Sequence, residues 1–375
     1  PELCRARGYA TAIYGKWHLG LPPAFHPARH GFDEFFGIPY SNDNGPLHPV
    51  VRGIPPLPLY DGERVVETDP DQSLFTRRFT DRAVDFIRRH KDRPFFLYLP
   101  HVMPHVPLFA SAAFRGRSKG GLYGDVVEEL DAGVGEVLDA LRAHGLEERT
   151  IVVFISDNGP FLSYGTHAGS AKPLREGKLT TFDGGLRVPC LVRWPGRIPA
   201  GRVCAEPLTS MDLLPTFARW IGAPPGRPVD GRDVGDVLKG RPGARSPHEA
   251  IFFYAGEELQ AVRSGPWKLH VEHDYLTVAG PTRTDGKPAN FENMKPAGMS
   301  ESGVRGIASR HGYRVERTPR ALYNLPDDPS ESKDVSAAHP DVVARLEALL
   351  EKARADLGDV LTKRRGSGVR PAGRM

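Results

Sequence analysis

Apolar residues recur at two spacings along the chain. Phe79, Ala83, Phe86 and Ile87 fall at helical intervals and predict a helix over 76–90. Pro94 to Leu99 is a short apolar run that reads as a buried strand, leading into a loop with His101 and His105. The strongest helical pattern covers 122–144. Val127, Leu130, Val134, Val137, Leu138 and Leu141 are assigned to its buried face, Glu128, Glu129 and Asp131 lie off it, and Gly145 supplies the stop. Thr150 to Ile155 is a continuous, largely β-branched run of the kind found in strands covered on both faces. Helix, short loop and strand in this order make an α/β unit, and a strand at 187–194 and a helix near 210–221 extend it.

The pattern shortens after about residue 245. Ile251–Tyr254, Ala261–Arg263 and Trp267–Val271 read as short strands, with Ser264-Gly265-Pro266 as a hairpin turn. Residues 277–318 are polar, glycine-rich and aperiodic, which predicts a long loop or insertion. Ala321–Leu325 reads as one more strand. Pro340 then opens a terminal helix with Val343, Leu346, Leu349 and Leu350 on one face. The expected organisation is a main α/β domain over 1–245, a smaller antiparallel sheet with a helix over 246–362, and a basic, disordered tail over 363–375.

Composition removes several classes. With 39% hydrophobic and 26% charged residues in 375, a real core is available and wholesale disorder is excluded. No apolar run approaches the ~18 residues of a membrane-spanning helix. The net charge is +4, but residues 363–375 hold five basic residues and no acid, so the excess belongs to the tail. No basic face is left for a nucleic-acid partner. Cys4, Cys190 and Cys204 form neither a disulfide framework nor a metal-type spacing, and they do not report the compartment. The chain opens at Pro1 inside what reads as a structured segment, so a fragment or a processed product is expected.

Four polar clusters remain at strand ends or in loops. Asp157-Asn158 follows the run ending at Ile155, where open α/β sheets place ligands. A carboxylate and an amide carbonyl are hard oxygen donors that suit Ca²⁺ or Mg²⁺ and not zinc, although Asp-Asn-Gly is also ordinary turn chemistry. Lys16 and His18 are two apart and would share a side on extended backbone, offering a cation and a proton carrier; a solvated lysine and a structural histidine have the same spacing. His105 sits in a proline-bracketed loop where it is either a proton donor or a loop anchor, and His101 has the weaker case. Lys178 follows Gly177 and precedes Thr180-Thr181, as an oxyanion-holding lysine or a surface one. Ser41 lies in the cluster Tyr40 to Gly45. Together the clusters point to an oxyanion-ester hydrolase with one oxygen-ligated metal.

The segment Gly8 to Gly20, which contains Gly15-Lys16-Trp17-His18, resembles the second signature of the sulfatase family. Gly31-Phe32-Asp33-Glu34-Phe35-Phe36-Gly37, Pro94 to Tyr98, the His105 loop, Ser156 to Gly159, Lys178 to Pro189, Trp194-Pro195-Gly196 and Asp212 to Thr216 continue in family order, over roughly residues 5–360. Gly37 to Ser41 is similar to the arylsulfatase A and N-acetylgalactosamine-6-sulfatase branch. The resemblance implies an alkaline-phosphatase-like α/β sandwich, a large mixed sheet flanked by helices with a smaller C-terminal antiparallel sheet. It implies hydrolysis of a sulfated small molecule or glycan by a formylglycine aldehyde hydrate with Ca²⁺. It makes Asp157 and Asn158 calcium ligands. Lys16 would stabilise the formylglycine, His18 assist sulfate release, His105 act on the leaving-group oxygen, Lys178 bridge sulfate and leaving oxygen, and Ser41 support them. A formylglycine-generating enzyme is the implied maturation partner, and a periplasmic or secreted location is compatible with the family.

The family's Cys-x-Pro-Ser-Arg nucleophile motif and paired aspartates lie upstream of the Lys-Trp-His segment, and neither occurs here; Cys4 is followed by Arg5-Ala6-Arg7. The expectation is a chain that lacks its nucleophile, two metal carboxylates and a central strand, and that is inactive alone. Two alternatives stay open. One is a metal-dependent phosphoesterase of the alkaline phosphatase superfamily, disfavoured by Asn158 where zinc would need histidine. The other is a non-catalytic protein.

Overall fold

The computed structural model describes residues 1–298, 301 and 303–371. The chain forms two compact units, Pro1–Val153 with Leu191–Pro247, and Phe154–Cys190 with the residues from His248 onward.

The first unit holds β1 (Ala10–Lys16), β2 (Glu34–Ile38), β3 (Pro58–Asp61), β4 (Arg64–Thr68), α1 (Phe75–Arg89), β5 (Phe95–Tyr98) and α2 (Gly121–Ala143). Its sheet is mixed, in the order β4-β3-β2-β1-β5. β1 runs parallel to both β2 and β5, whereas β3 and β4 continue antiparallel. A strand with parallel neighbours on both sides is covered on both faces, and Ala10 to Gly15 are all buried. α1 buries Phe79, Ala83, Phe86 and Ile87, as its spacing predicts, and Phe75 in addition. Phe86 meets Tyr14 of β1 edge-on at 6.1 Å, and Phe79 meets Phe36 of β2 at 6.0 Å.

α2 buries most of the expected face, with Leu130 and Leu141 buried and Val137 and Leu138 packed against the core, but it departs from it at Val127 and Glu129. Val127 is 41% exposed, while Asp125 and Glu129 are buried beside Val126, Leu130, Gly133 and Leu141. The two carboxylates are spent on backbone. Asp125 accepts from the amides of Gly116, Arg117 and Ser118, and Glu129 from that of Ser111. Gly133 lets α2 approach α1 closely, since a Cβ there would crowd the Thr80 hydroxyl.

β6 (Val152–Ile155) and β7 (Cys190–Arg193) form a separate two-stranded sheet, and the boundary between the units passes through both strands. The run ending at Ile155 is therefore not covered on both faces. Phe154 is 45% and Ile155 38% exposed, and Tyr98 of β5, also expected to be buried, is 46% exposed. A β-branched run specifies strand geometry, but burial also takes neighbours, and β6 has one strand beside it. Helix α3 (Leu213–Trp220) falls within its expected span.

The second unit carries β8 (Ile251–Ala255), β9 (Glu258–Ser264), β10 (Trp267–His270), β11 (His273–Val278), α4 (Gly303–His311), β12 (Tyr313–Thr318), β13 (Ala321–Asn324) and α5 (Pro340–Leu357). The antiparallel sheet β13-β10-β9-β8 lays Leu259, Val262, Leu269 and Leu322 against Val343, Leu346, Leu349, Leu350 and Ala353 of α5. Residues 277–318 are not the structureless loop expected. β11 and β12 pair in antiparallel register from His273–Thr318 to Val278–Tyr313, with α4 between them.

Residues 364–368 of the expected tail return to α5. Arg364 and Arg365 pair with Asp359 and Gly358, and the amides of Ser367 and Gly368 donate to the carbonyls of Ala355 and Asp356. Last-turn carbonyls lack helical partners, so a returning chain satisfies them. Residues 372–375 lie outside the described residues. No helix among the described residues is long and apolar enough to cross a membrane.

The two helix registers are separable by mutation. Leu346→Ala removes a side chain with no exposure and should destabilise the second unit by ~2–5 kcal/mol. Val127→Ala should fall within ~0.5 kcal/mol. Urea unfolding of both variants checks this, and a large cost at Val127 would restore the expected α2 face.

Candidate active site

Lys16, His18, Ser41 and His105 belong to the first unit; Asp157, Asn158 and Lys178 belong to the second.

In the first unit the site residues follow from strand direction. β1, β2 and β5 are parallel, so their carboxyl ends lie on one edge. Lys16 ends β1, Ser41 follows β2, and His101 and His105 follow β5. Backbone bonds join these ends: the Lys16 amide donates to Pro100 O at 2.8 Å, Trp17 to Ile38 O at 3.0 Å and His18 to Pro39 O at 3.0 Å. Gly15 and Gly37 stand opposite each other in register. A Cβ on Gly15 would strike the Pro100 carbonyl, and one on Gly37 the Gly15 carbonyl, so close approach of the three ends requires both glycines. Trp17 is the local anchor, donating from Nε1 to Phe25 O at 2.7 Å.

The expectation that Lys16 and His18 share a side rests on unbroken alternation. It ends at Lys16, because His18 is in the left-handed region at φ 56°. His18 is exposed and Lys16 half-buried.

His105 is oriented on two sides. Nδ1 lies 2.7 Å from Val106 O, and Ser41 Oγ lies 3.2 Å from Nε2 and 3.3 Å from Nδ1. A carbonyl only accepts, so this bond assigns the proton to Nδ1 and makes Nε2 the nitrogen that can gain and give a proton. Two residues hold the arrangement that the sequence did not single out. Asn42 Nδ2 donates to Gln72 Oε1 at 2.9 Å and to Pro107 O at 3.0 Å, tying the Ser41 segment to the His105 loop. Asn42 was visible within its polar cluster, whereas nothing local marks Gln72.

His101 has a different character. Both ring nitrogens are buried without a hydrogen-bond partner among the described residues, the ring packs near Phe79, and burial pulls its pKa down to about 4.

In the second unit the chain leaves β6 into Ser156 to Pro160. Ser156 Oγ donates to Asn158 O at 2.9 Å, and Asn158 Nδ2 donates to Gly159 O at 3.0 Å, which leaves Oδ1 as the amide's acceptor. The Lys178 loop lies directly against this turn. The Gly159 amide donates to Gly185 O and the Lys178 amide to Pro160 O, both at 2.9 Å. The Lys178 ammonium lies 5.0 Å from the Phe161 ring centroid, and that ring packs against His311 and Tyr313. Burial raises the Glu176 carboxyl and pushes the Tyr313 hydroxyl up to about 12.

Two family models cover most of the chain: "Sulfatase" matches residues 1–223 and "C-terminal region of aryl-sulfatase" matches residues 246–367. The chain belongs to the sulfatase family. Among curated relatives, the dog N-acetylgalactosamine-6-sulfatase is 42% identical over 72% of this chain and 53% of its own length. Human arylsulfatase A is 36% identical over 95% of this chain and 71% of its own. This sulfatase chain thus spans about half the length of the first relative. The crystal structure of the PsFucS1 sulfatase from Pseudoalteromonas sp. superimposes with a TM-score of 0.75 at 23% identity, covering 94% of this chain and 72% of that one, and gives the fold. The mixed sheet with helices and the separate antiparallel C-terminal sheet have the expected alkaline-phosphatase-like architecture.

The two groups implied by the sequence resemblance fit these residues poorly. Asp157 and Asn158 are the right donor type for calcium, but two side chains fall well short of the 6–8 oxygens it takes, and no cluster of three His, Cys, Asp or Glu suits a metal among the described residues. No cysteine fits a formylglycine precursor either. None is followed by x-Pro, and burial raises the thiol pKa of Cys4 and Cys190.

His101 yields a pH prediction. Unfolded, its imidazole gains a proton as pH falls through ~6.5; folded, not until about 4. Its contribution to stability is therefore full above ~6.5 and is lost as pH falls toward 4, by roughly 3 kcal/mol in all. Unfolding free energies of the protein and of His101→Phe, measured from pH 7 to 4, should differ by that slope. Parallel curves would refute the assignment.

Proposed function

We propose that the protein hydrolyses sulfate monoesters of aryl or carbohydrate type, with Lys16, His18, His105 and Lys178 as the residues this chain brings to the reaction and Ser41 in support. The observation that carries the reading is the joining of two segments: the turn with Asp157 and Asn158 is hydrogen-bonded along its backbone to the loop with Lys178. A hard-cation donor pair at a strand end, joined through its backbone to a lysine-bearing loop, suits an oxyanion. The identities to an N-acetylgalactosamine-6-sulfatase and an arylsulfatase support the ester class.

Cleaving the S–O bond of a sulfate ester builds negative charge on the leaving oxygen. Lys178 is a point charge that offsets it without giving up its proton. His105, held at Nδ1 by Val106 O, carries a transferable proton on Nε2 when charged and delivers it to the departing alkoxide or phenoxide. Lys16 attracts the sulfate oxygens, and His18, exposed at the end of β1, serves the release step. Asp157 and Asn158 are proposed as two calcium ligands of a set completed by other residues. A formylglycine outside these 375 residues, made by a formylglycine-generating enzyme, would supply the nucleophilic oxygen. The residues here complete neither group. The 375-residue chain is accordingly expected to show no turnover by itself.

The test uses a form of the protein that carries the nucleophile motif, assayed on an aryl sulfate and an aryl phosphate. Sulfate should be preferred. Lys178→Ala and His105→Ala should each lower kcat by at least ~10²-fold while stability shifts by under ~1 kcal/mol. Preference for the phosphate would favour a phosphoesterase, and matched losses of folding and turnover would make both residues structural.

A further inference from the structure

A cluster of buried charges lies in the second unit, apart from the candidate site residues. Lys268 on β10 and Glu331 after β13 have no exposure, and Asp183 is 2% exposed. Lys268 Nζ lies 2.8 Å from Asp183 Oδ1 and 2.9 Å from Glu331 Oε1. His270 Nε2 is 3.1 Å from Glu331 Oε1. Burial and the nearby Lys268 charge hold the His270 pKa well below its usual value, so this ring is neutral.

The cluster grips both stems of the Lys178 loop. On the far stem, Glu331 Oε2 accepts from the Asp183 amide at 2.6 Å, the His270 ring stacks on Phe182 at 4.6 Å, and Gln260 Oε1 accepts from Thr181 Oγ1 at 2.9 Å. On the near stem, Arg175 donates to the Glu331 carbonyl at 2.9 Å and lies over the Phe182 ring at 3.9 Å. One residue therefore takes the near stem on its carbonyl and the far stem on its carboxylate. Between them, Gly184 packs so closely on the carbonyls of Arg175 and Glu176 that no Cβ fits. Glu176 and Leu179, flanking Lys178, are both in the left-handed region at φ 57° and 77°. Non-glycine residues stay there only where surroundings over-determine the backbone.

We propose that Glu331 and Lys268 form a buried ionic clamp that positions Lys178, closing residues 175–183 into the one conformation that presents the ammonium beside the Asp157–Pro160 turn. Both are positioning residues, and neither reaches the candidate site. Their relevance to turnover rests on the sulfatase role given to Lys178, whereas the clamp itself does not.

Hydrogen–deuterium exchange on the 375-residue chain separates the two. In Glu331→Gln and in Lys268→Met, amides of 176–183 should exchange at least about tenfold faster while those of α5 change less than about twofold. Glu331→Gln keeps the shape and secures the test if Lys268→Met fails to fold. Uniform acceleration through α5, or unchanged exchange at 176–183, would overturn the clamp. In the catalytically complete protein, Glu331→Gln should lower kcat at least about tenfold with KM little changed, and should add nothing in a Lys178→Ala background. Full additivity there would also overturn the clamp. Looser exchange with Lys178→Ala fully active would keep the clamp and sink the role of Lys178.

Discussion

The second unit depends on making the burial of an ammonium and two carboxylates tolerable. Removing such ions from water costs several kcal/mol each, and pairing offsets this only when geometry and hydrogen bonds are complete. Lys268, Asp183 and Glu331 meet most of that demand with direct ion pairs, a backbone amide and a neutral imidazole, while Asp183 Oδ2 stays buried without a hydrogen bond among the described residues, with Arg187 3.8 Å away. An apolar cluster would be as stable, but it would tolerate a slipped loop. Charges that must find specific partners do not, so the register of residues 175–183 on β9 and β10 is fixed by the cost of any alternative.

The first unit reaches order by a different route. There the constraint is steric: three parallel strand ends close enough that Gly15 and Gly37 admit no side chain. Parallel pairing sends every strand's outgoing loop to the same edge, so residues from three distant segments assemble without a dedicated network. Asn42 and Gln72 then set the spacing between two of those loops. Topology supplies the gathering, and a buried amide pair supplies the fine adjustment.

These routes explain what could be read in the sequence. An apolar run followed by a polar cluster is a local signal, and it placed His105 after β5 and Asp157-Asn158 after β6. The Phe79, Ala83, Phe86 and Ile87 face of α1 and the α5 face against β9 were legible because apolar side chains there do nothing but pack. On α2, Glu129 was misread because it looks like a solvent-facing charge and is in fact the acceptor for the Ser111 amide. β1 was passed over because Thr11, Gly15 and its alanines dilute the apolar signal in a strand whose neighbours demand small residues. The clamp left no local trace at all. Glu331 contacts Asp183 across 148 residues and Lys268 contacts it across 85, and neither spacing belongs to any repeat or motif.

The backbone outliers follow the same division. Of the seven non-glycine residues in the left-handed region among the described residues, His18 is itself a candidate site residue, Glu176 and Leu179 bracket Lys178, and Glu331 belongs to the clamp. Such conformations cost of order 1–3 kcal/mol each, and elsewhere in a chain glycine or asparagine relieves them cheaply. Here the strained positions carry side chains that the packing uses: Glu331 fills the ion cluster, and Glu176 is half-buried with a raised carboxyl pKa. Strain is tolerated where a side chain and a backbone conformation are both needed at one position. That requirement is set by the partners of the folded state, which is why local propensity fails at these residues and succeeds along α1 and α5.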